Sequence, residues 1–167
     1  IPLYNRIDLI PFTISSLNPS KHQNIELEVI VVDDGSMDGG PDYVESNFPW
    51  VNLVKNAINN GAAVCRNQGL NLAKGEFVLF LDSDDLVEPD YFTNKIEALK
   101  KNQQYCGVYG PWVFFKSESD FKEEYIKPRK SEYPLINPPS RDSIMERLLG
   151  GWYIHPSAIL WRADILK

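Results

Sequence analysis

Five aspartates stand in two groups, each directly after a short apolar run. Asp33-Asp34 follows Val29-Ile30-Val31-Val32, and Asp82, Asp84 and Asp85 follow Phe77-Val78-Leu79-Phe80-Leu81. Carboxylates gathered in one crevice repel one another, at a cost in stability unless protons, cations or hydrogen-bond donors compensate. A bound divalent cation is the simplest compensation. Hard cations with oxygen ligands, Mg²⁺ or Mn²⁺, suit one or two aspartates completed by substrate phosphates and water. The same aspartates admit a plainer use, because strand-end aspartates cap the next helix and build turns, as Asp34-Gly35-Ser36 can. A helix-loop-helix calcium site fits poorly, since its alternating acidic spacing and closing glutamate are missing.

The elements that must position these residues are legible in outline. Continuous runs rich in β-branched and aromatic residues suit strands buried on both faces. Between the two runs, Asp38 to Asn47 and Gly61 to Ala73 have helical character, and Val51 to Lys55 supplies another short strand. The order β, α, β, α, β predicts an α/β fold with a mainly parallel central sheet flanked by helices. In such a sheet the carboxyl ends of the strands share one edge, and ligands bind in the crevice outside it. All five aspartates are predicted to lie there.

Upstream, Asp8 is placed to cap a helix carrying Leu9, Ile10, Ile14 and Leu17, ended by Asn18-Pro19. Downstream, Glu88-Pro89-Asp90 opens a helix through Lys101, with Pro89 in its first turn. A strand is predicted at Gly107 to Phe115. The polar, proline-bearing stretch Ser117 to Pro139 reads as a long loop, of the kind that serves as a lid or binding segment. Arg141 to Leu149 reads as a short helix, broken by Gly150-Gly151 before an extended run from Trp152 to Trp161.

Composition sets the bounds. A chain of 167 residues with 43% hydrophobic content is long enough for one core and too short for two ordinary domains. The net charge of −6 leaves no positive field to attract nucleic acid, and Lys116 to Lys130 mixes its basic residues with Asp120, Glu123 and Glu124. Phosphates on a ligand would therefore need neutralising by something other than a basic patch. Cys65 and Cys106 lack metal-ligand spacing and are too few for a disulfide framework, which fits a reducing compartment. No apolar stretch approaches the roughly 20 residues that span a bilayer, and the opening residues form no signal pattern, so the chain reads as soluble. It opens on Ile1-Pro2-Leu3-Tyr4 as the tail of a strand and stops at Ile165-Leu166-Lys167 as a helix begins, and so reads as truncated at both ends.

Four stretches, in order, resemble the inverting family-two glycosyltransferases with the GT-A fold. They are Ile1-Pro2-Leu3-Tyr4-Asn5, Val31-Val32-Asp33-Asp34-Gly35-Ser36-Met37-Asp38-Gly39, Asn60-Gly61-Ala62-Ala63-Val64-Cys65-Arg66-Asn67 and Phe80-Leu81-Asp82-Ser83-Asp84-Asp85. Order and spacing together make the match specific, although Asp-x-Asp alone is common by chance. The resemblance is clear through about Phe92 and thin beyond it, where Gly150-Gly151-Trp152 and His155-Pro156-Ser157 look like the family's acceptor-side segment. It implies one GT-A domain over residues 1–167, with a nucleotide-sugar donor half at 1–92 and a partial acceptor half at 107–167.

The resemblance also implies roles. Pro2 and Tyr4 would border the donor base, with Tyr4 packed on it, and Asp34 would accept the ring N–H of uracil or thymine, a proton that cytosine lacks. Asp33 would support the turn. Arg66 would sit near the base or the diphosphate, or else form a surface ion pair. Asp82 would bond ribose hydroxyls, with Ser83 beside it. Asp84 and Asp85 would supply the ligand to Mn²⁺ or Mg²⁺, Asp84 in the better position, and the cation would stabilise the departing nucleoside diphosphate. The donor would be a UDP-sugar, with dTDP- and GDP-sugars as the other options.

A general base must also deprotonate the acceptor hydroxyl. Asp164, Asp120, Glu123 and Glu124 are candidates, and none matches a family position. Trp152 and His155 would belong to the acceptor side, His155 also being available to the metal or to the backbone. Trp152 and Trp161 would serve as sugar platform or core filler, and strand alternation would put them on opposite faces. The acceptor would be a glycan, a lipid-linked group or another hydroxyl compound. Assembly of bacterial envelope polysaccharide in the cytoplasm, at the inner face of the membrane, is the family's usual business.

A noncatalytic nucleotide-sugar-binding module, keeping the donor site without the base, is the rival reading. A sugar nucleotidyltransferase would need a glycine-rich loop with Arg and Lys for a triphosphate, and a dinucleotide oxidoreductase a Gly-x-Gly-x-x-Gly after its first strand. Neither feature is present.

Overall fold

The computed structural model describes residues 1–22, 24–110 and 155–167. A parallel sheet in the order β1, β2, β3 is built from Pro2–Leu3, Ile30–Asp33 and Asn52–Lys55. The hydrophobic run after Glu28 explains why β2 takes the centre. Its four residues are all buried, and alternate side chains serve different layers. Val31, with Val29 just before the strand, joins Leu3, Ile10, Ile14 and Val44 in the main core. Ile30 and Val32 pack with Cys65 on the other side. The predicted strand buried on both faces is therefore observed.

Helix α1 (Ile10–Ser16) carries the apolar positions read from the sequence, but Asp8 does not cap it. The carbonyl of Arg6 already accepts the N–H groups of Leu9 and Ile10, and Pro11 has no N–H to offer, so little is left for a side-chain cap. Helix α2 (Gly40–Asn47) starts after a left-handed Gly39 with φ of 82°, two residues later than the sequence suggested. Asp38 instead accepts from the backbone N–H groups of Gly40 and Ile7. Helix α3 (Ala62–Leu72) covers the Ile30 and Val32 face of β2 through Cys65.

A second sheet, antiparallel and in the order β4, β6, β5, accompanies the parallel one. Here β4 is Phe77–Leu79, β5 is Gly107–Tyr109 and β6 is Ile159–Arg162. The sequence did not indicate these pairings: Phe77 lies opposite Arg162, and Gly107 opposite Trp161. Only Val78 of β4 is fully buried, so this run is not shielded on both faces as predicted. Gly107 sits where β5 closely approaches β6: a Cβ there would come within 3.1 Å of the Leu160 carbonyl oxygen and the Trp161 ring, so a side chain would need its neighbours to shift. The predicted strand is seen over its first three residues; its positions 111–115 lie outside the described residues, as do the predicted loop at Ser117 to Pro139 and helix at Arg141 to Leu149.

Helix α4 (Tyr91–Lys101) follows Asp90, so Pro89 precedes the helix rather than sitting in its first turn. Its Phe92 and Leu99 complete the main core beside Leu81, Val87 and Leu160. A 3-10 turn at Pro156–Ala158 leads into β6, and a short helix α5 (Ala163–Leu166) leaves it. No helix among the described residues is long and apolar enough to cross a membrane.

Candidate functional site

Two supports converge on the carboxyl end of β2. Asp33 turns back to accept from the Ser36 N–H, the turn role expected of it. Asp34 reaches across to the loop after β3, where its two oxygens accept the backbone N–H groups of Asn60 at 2.9 Å and Gly61 at 2.7 Å. These donors stand immediately before α3, and Gly61 supplies the positive φ of 92° that the turn requires. Burial alone would raise the Asp34 carboxyl pKa. The Asn60 and Gly61 N–H groups outweigh it, helped by Cys65 and Asn56, and the group lies below the usual carboxylate value. Burial and the neighbouring Asp34 raise the Cys65 thiol to about 11, which keeps it protonated and unreactive near neutral pH.

The acidic loop after β4 is gripped from two directions. On one side α1 holds it: Thr13 Oγ1 donates to the Ser83 carbonyl at 2.9 Å, and the Val87 N–H donates to Ser16 Oγ at 3.1 Å. On the other side stands the 3-10 turn before β6. The Asp82 N–H donates to Ser157 Oγ at 3.1 Å, and that hydroxyl donates in turn to the Asp85 carboxylate. His155 Nδ1 lies 3.5 Å from the same Asp85 oxygen and accepts from the Ser157 N–H. Burial pushes the Asp85 carboxyl pKa up. Ser157 and His155 oppose the rise, and the charges of Asp82 and Asp84 add to it.

Arg66 joins the two regions. One turn into α3 from the Asp34 contact, its guanidinium meets the Asp82 carboxylate at 2.5 Å, both side chains about a quarter exposed. The sequence left Arg66 between a ligand role and a surface pair, and the structure puts it in a half-buried pair inside the cluster. Its Nε is buried with no hydrogen-bond partner among the described residues.

One ligand atom from each of Asp82, Asp85 and His155 lies within 4.8 Å of the others, a spacing that one cation can bridge. Two carboxylates and an imidazole are a chemically reasonable set for a divalent ion, and the imidazole favours Mn²⁺ over Mg²⁺. Asp84 is exposed and stands outside this group. Pro2 is half-buried in β1, Tyr4 just beyond it is 47% exposed, and Ser83 is buried with its carbonyl engaged by Thr13. Asp164 is not brought to the cluster. The antiparallel register places it beyond the far end of β6, past the Arg162 that pairs with Phe77, whereas the acidic loop leaves the opposite end of β4. Asp120, Glu123, Glu124 and Trp152 lie outside the described residues.

Sequence reasoning assigned no role to Ser157, Thr13 or the backbone of Asn60-Gly61. Ser157 closes the His155-Pro156-Ser157 stretch, and its polarity just before an apolar strand is the available signal. Thr13 was visible as a polar residue amid the apolar positions of α1.

The chain matches the model of Glycosyl transferase family 2 over residues 1–163 and belongs to that family. It is 33% identical over 107 residues to a poly(ribitol-phosphate) beta-glucosyltransferase of Bacillus spizizenii, covering 62% of this chain and 17% of that protein. Its fold resembles the S. aureus TarS fragment 1–349 in complex with UDP, with TM-score 0.64, 28% identity and coverage of 99% of this chain and 46% of that one. It also resembles the mannosyltransferase PcManGT of Pyrobaculum calidifontis in complex with GDP-Man and Mn²⁺, with TM-score 0.65 at 23% identity, covering 99% of this chain and 44% of that one. The chain spans 26% to 38% of the length of four further bacterial relatives that it matches.

Proposed function

We propose that this chain is the donor-binding part of an inverting, metal-dependent glycosyltransferase that takes a sugar from a UDP-sugar to a hydroxyl acceptor. The observation that carries the reading is the continuous line from Asp34, through the first turns of α3, to Arg66 and the Asp82, Asp85 and His155 group. In this line Asp34 sets the entry of α3 and faces the base with its remaining acceptor capacity. Tyr4 covers the base, with Pro2 beside it, and Asp82 bonds the ribose, with Ser83 fixing the loop. Arg66 Nε is a donor for an anionic oxygen of the diphosphate.

Asp85, grouped with Asp82 and His155, or the exposed Asp84 beside it, would hold Mn²⁺ or Mg²⁺, and the ion would supply positive charge to the leaving diphosphate when bound. Residues 1–92 form the donor half and 107–167 part of the acceptor half, with Trp152 and His155 on the acceptor side. The complexes of TarS with UDP and of PcManGT with GDP-Man and Mn²⁺ support a nucleotide ligand and a cation at this fold. The poly(ribitol-phosphate) beta-glucosyltransferase relative supports envelope polysaccharide as the setting.

The test is a thermal-shift screen of the full-length protein against UDP-, GDP- and dTDP-sugars with and without Mn²⁺. A UDP-sugar should give the largest rise, and only with the metal. No rise with any nucleotide sugar would sink the reading. With Asp164 at the far end of β6, any base would come from elsewhere, and the rival reading is a module that binds donor and transfers nothing. Labelled UDP-sugar that is bound but never transferred to a panel of acceptors would establish it.

A further inference from the structure

Lys95 is an ammonium group where an apolar side chain would be cheaper. It is 4% exposed, and among the described residues it forms no ion pair. Its Nζ donates to the Ala158 carbonyl at 3.1 Å and lies 3.3 Å from the centroid of the Tyr91 ring. Burial lowers its pKa to about 7, against the weak pull of Glu88. A group so costly to bury is explained by the direction of the bond it makes.

The same helix face makes a second bond of the same kind. Tyr91, one turn before Lys95 on α4, donates its hydroxyl to the Ser157 carbonyl at 3.0 Å. Two successive carbonyls of the 3-10 turn are thus held by one face of α4. The Ala158 carbonyl also accepts the Gly110 N–H at 3.0 Å, whereas the turn's side chains go to the acidic loop: Ser157 Oγ takes the Asp82 N–H and bonds Asp85, and His155 approaches Asp85.

We propose that Tyr91 and Lys95 are positioning residues for the acidic site: α4 clamps the carbonyls of Ser157 and Ala158, and the clamp sets where Ser157 Oγ and His155 stand relative to Asp82 and Asp85. The clamp acts on the cation site through the turn. Its functional half rests on the reading of that loop as a cation site, and its structural half does not.

The experiment uses Tyr91→Phe and Lys95→Met, each deleting one donor while keeping the side chain's bulk. In metal-free protein, amide hydrogen exchange at Asp82 should accelerate by about tenfold in either variant, the loss expected for one anchoring hydrogen bond. The Val32 and Asn52 amides, which donate within the parallel sheet, should keep their rates. Calorimetric Mn²⁺ affinity in the presence of UDP should fall by about fivefold or more in both variants. Unchanged exchange at Asp82 in both variants overturns the clamp, as does a rise shared equally by Val32 and Asn52, which marks general loosening. A parent protein that binds no Mn²⁺ with UDP, while Asp82 exchange responds, removes the cation reading and leaves the clamp standing.

Discussion

The Arg66 guanidinium stands 2.5 Å from the Asp82 carboxylate, and this pair ties the helix that Asp34 starts to the loop that carries the acidic group. The pair supplies positive charge to a cluster that otherwise repels itself. A cation arriving beside Asp82 would share that task.

Arg66→Met should therefore destabilise the metal-free protein by about 1–3 kcal/mol, because Asp82 is left half-buried among like charges. Mn²⁺ should restore part of the loss. Urea unfolding with and without Mn²⁺ measures both, and a variant as stable as the parent in metal-free buffer would refute the coupling.

Asp34→Ala removes the acceptor for two backbone N–H groups at the start of α3, at a cost of about 1–2 kcal/mol near neutral pH. The Asp34 pKa is held below its ordinary 3.8, so its contribution is present above that value and is lost as pH falls through the folded value. The gap between parent and variant should close below pH 3.8, which acid titration followed by circular dichroism will show. UDP affinity should fall more than its Mn²⁺ dependence changes, and equal affinities would count against the base-reading role.

Asp85→Ala and Asp84→Ala distinguish the two carboxylates proposed for the cation. Each should weaken Mn²⁺-dependent UDP binding, by about tenfold or more where a direct ligand is lost. Asp85→Ala alone should also free Ser157, which donates to it. Calorimetry reads the affinities, and two variants with parental Mn²⁺ dependence would remove the metal assignment.

Lys95→Met should change how stability depends on pH. In the parent, Lys95 sheds its proton near pH 7 when folded and near 10.5 when unfolded. Across that window the unfolded chain holds the extra proton, so parental stability gains with rising pH, by up to ~1.4 kcal/mol per unit from this group. The variant lacks the gain. Its advantage over the parent should be largest below pH 7 and shrink toward pH 10, and a difference constant across urea titrations from pH 6 to 9.5 would contradict the account.

The parallel sheet and its aspartates were legible because their signals are local. The buried run Val29 to Val32 ends in aspartates that the chain must place at a strand's carboxyl end. The acidic loop's second support was not legible, because Ser157 lies 72 residues from Asp85 and only the antiparallel register of β6 brings them together. Asp8 misled for a related reason: its residue type suits a cap, but the Arg6 carbonyl had already taken the donors. Asp164 stood near the right segment in sequence and at the wrong end of the strand in space.

Strand β6 lies between β4 and β5 yet follows both in the chain. As the polypeptide leaves the ribosome, β1, β2 and β3 can assemble once Lys55 has emerged, while β4 and β5 must wait for Ile159–Arg162. The acidic loop is then closed after the parallel sheet, so nascent chains halted before β6 should show protected amides in the parallel sheet and open ones at Asp82. Its mutually repelling carboxylates are brought together only once the rest of the sheet can hold them.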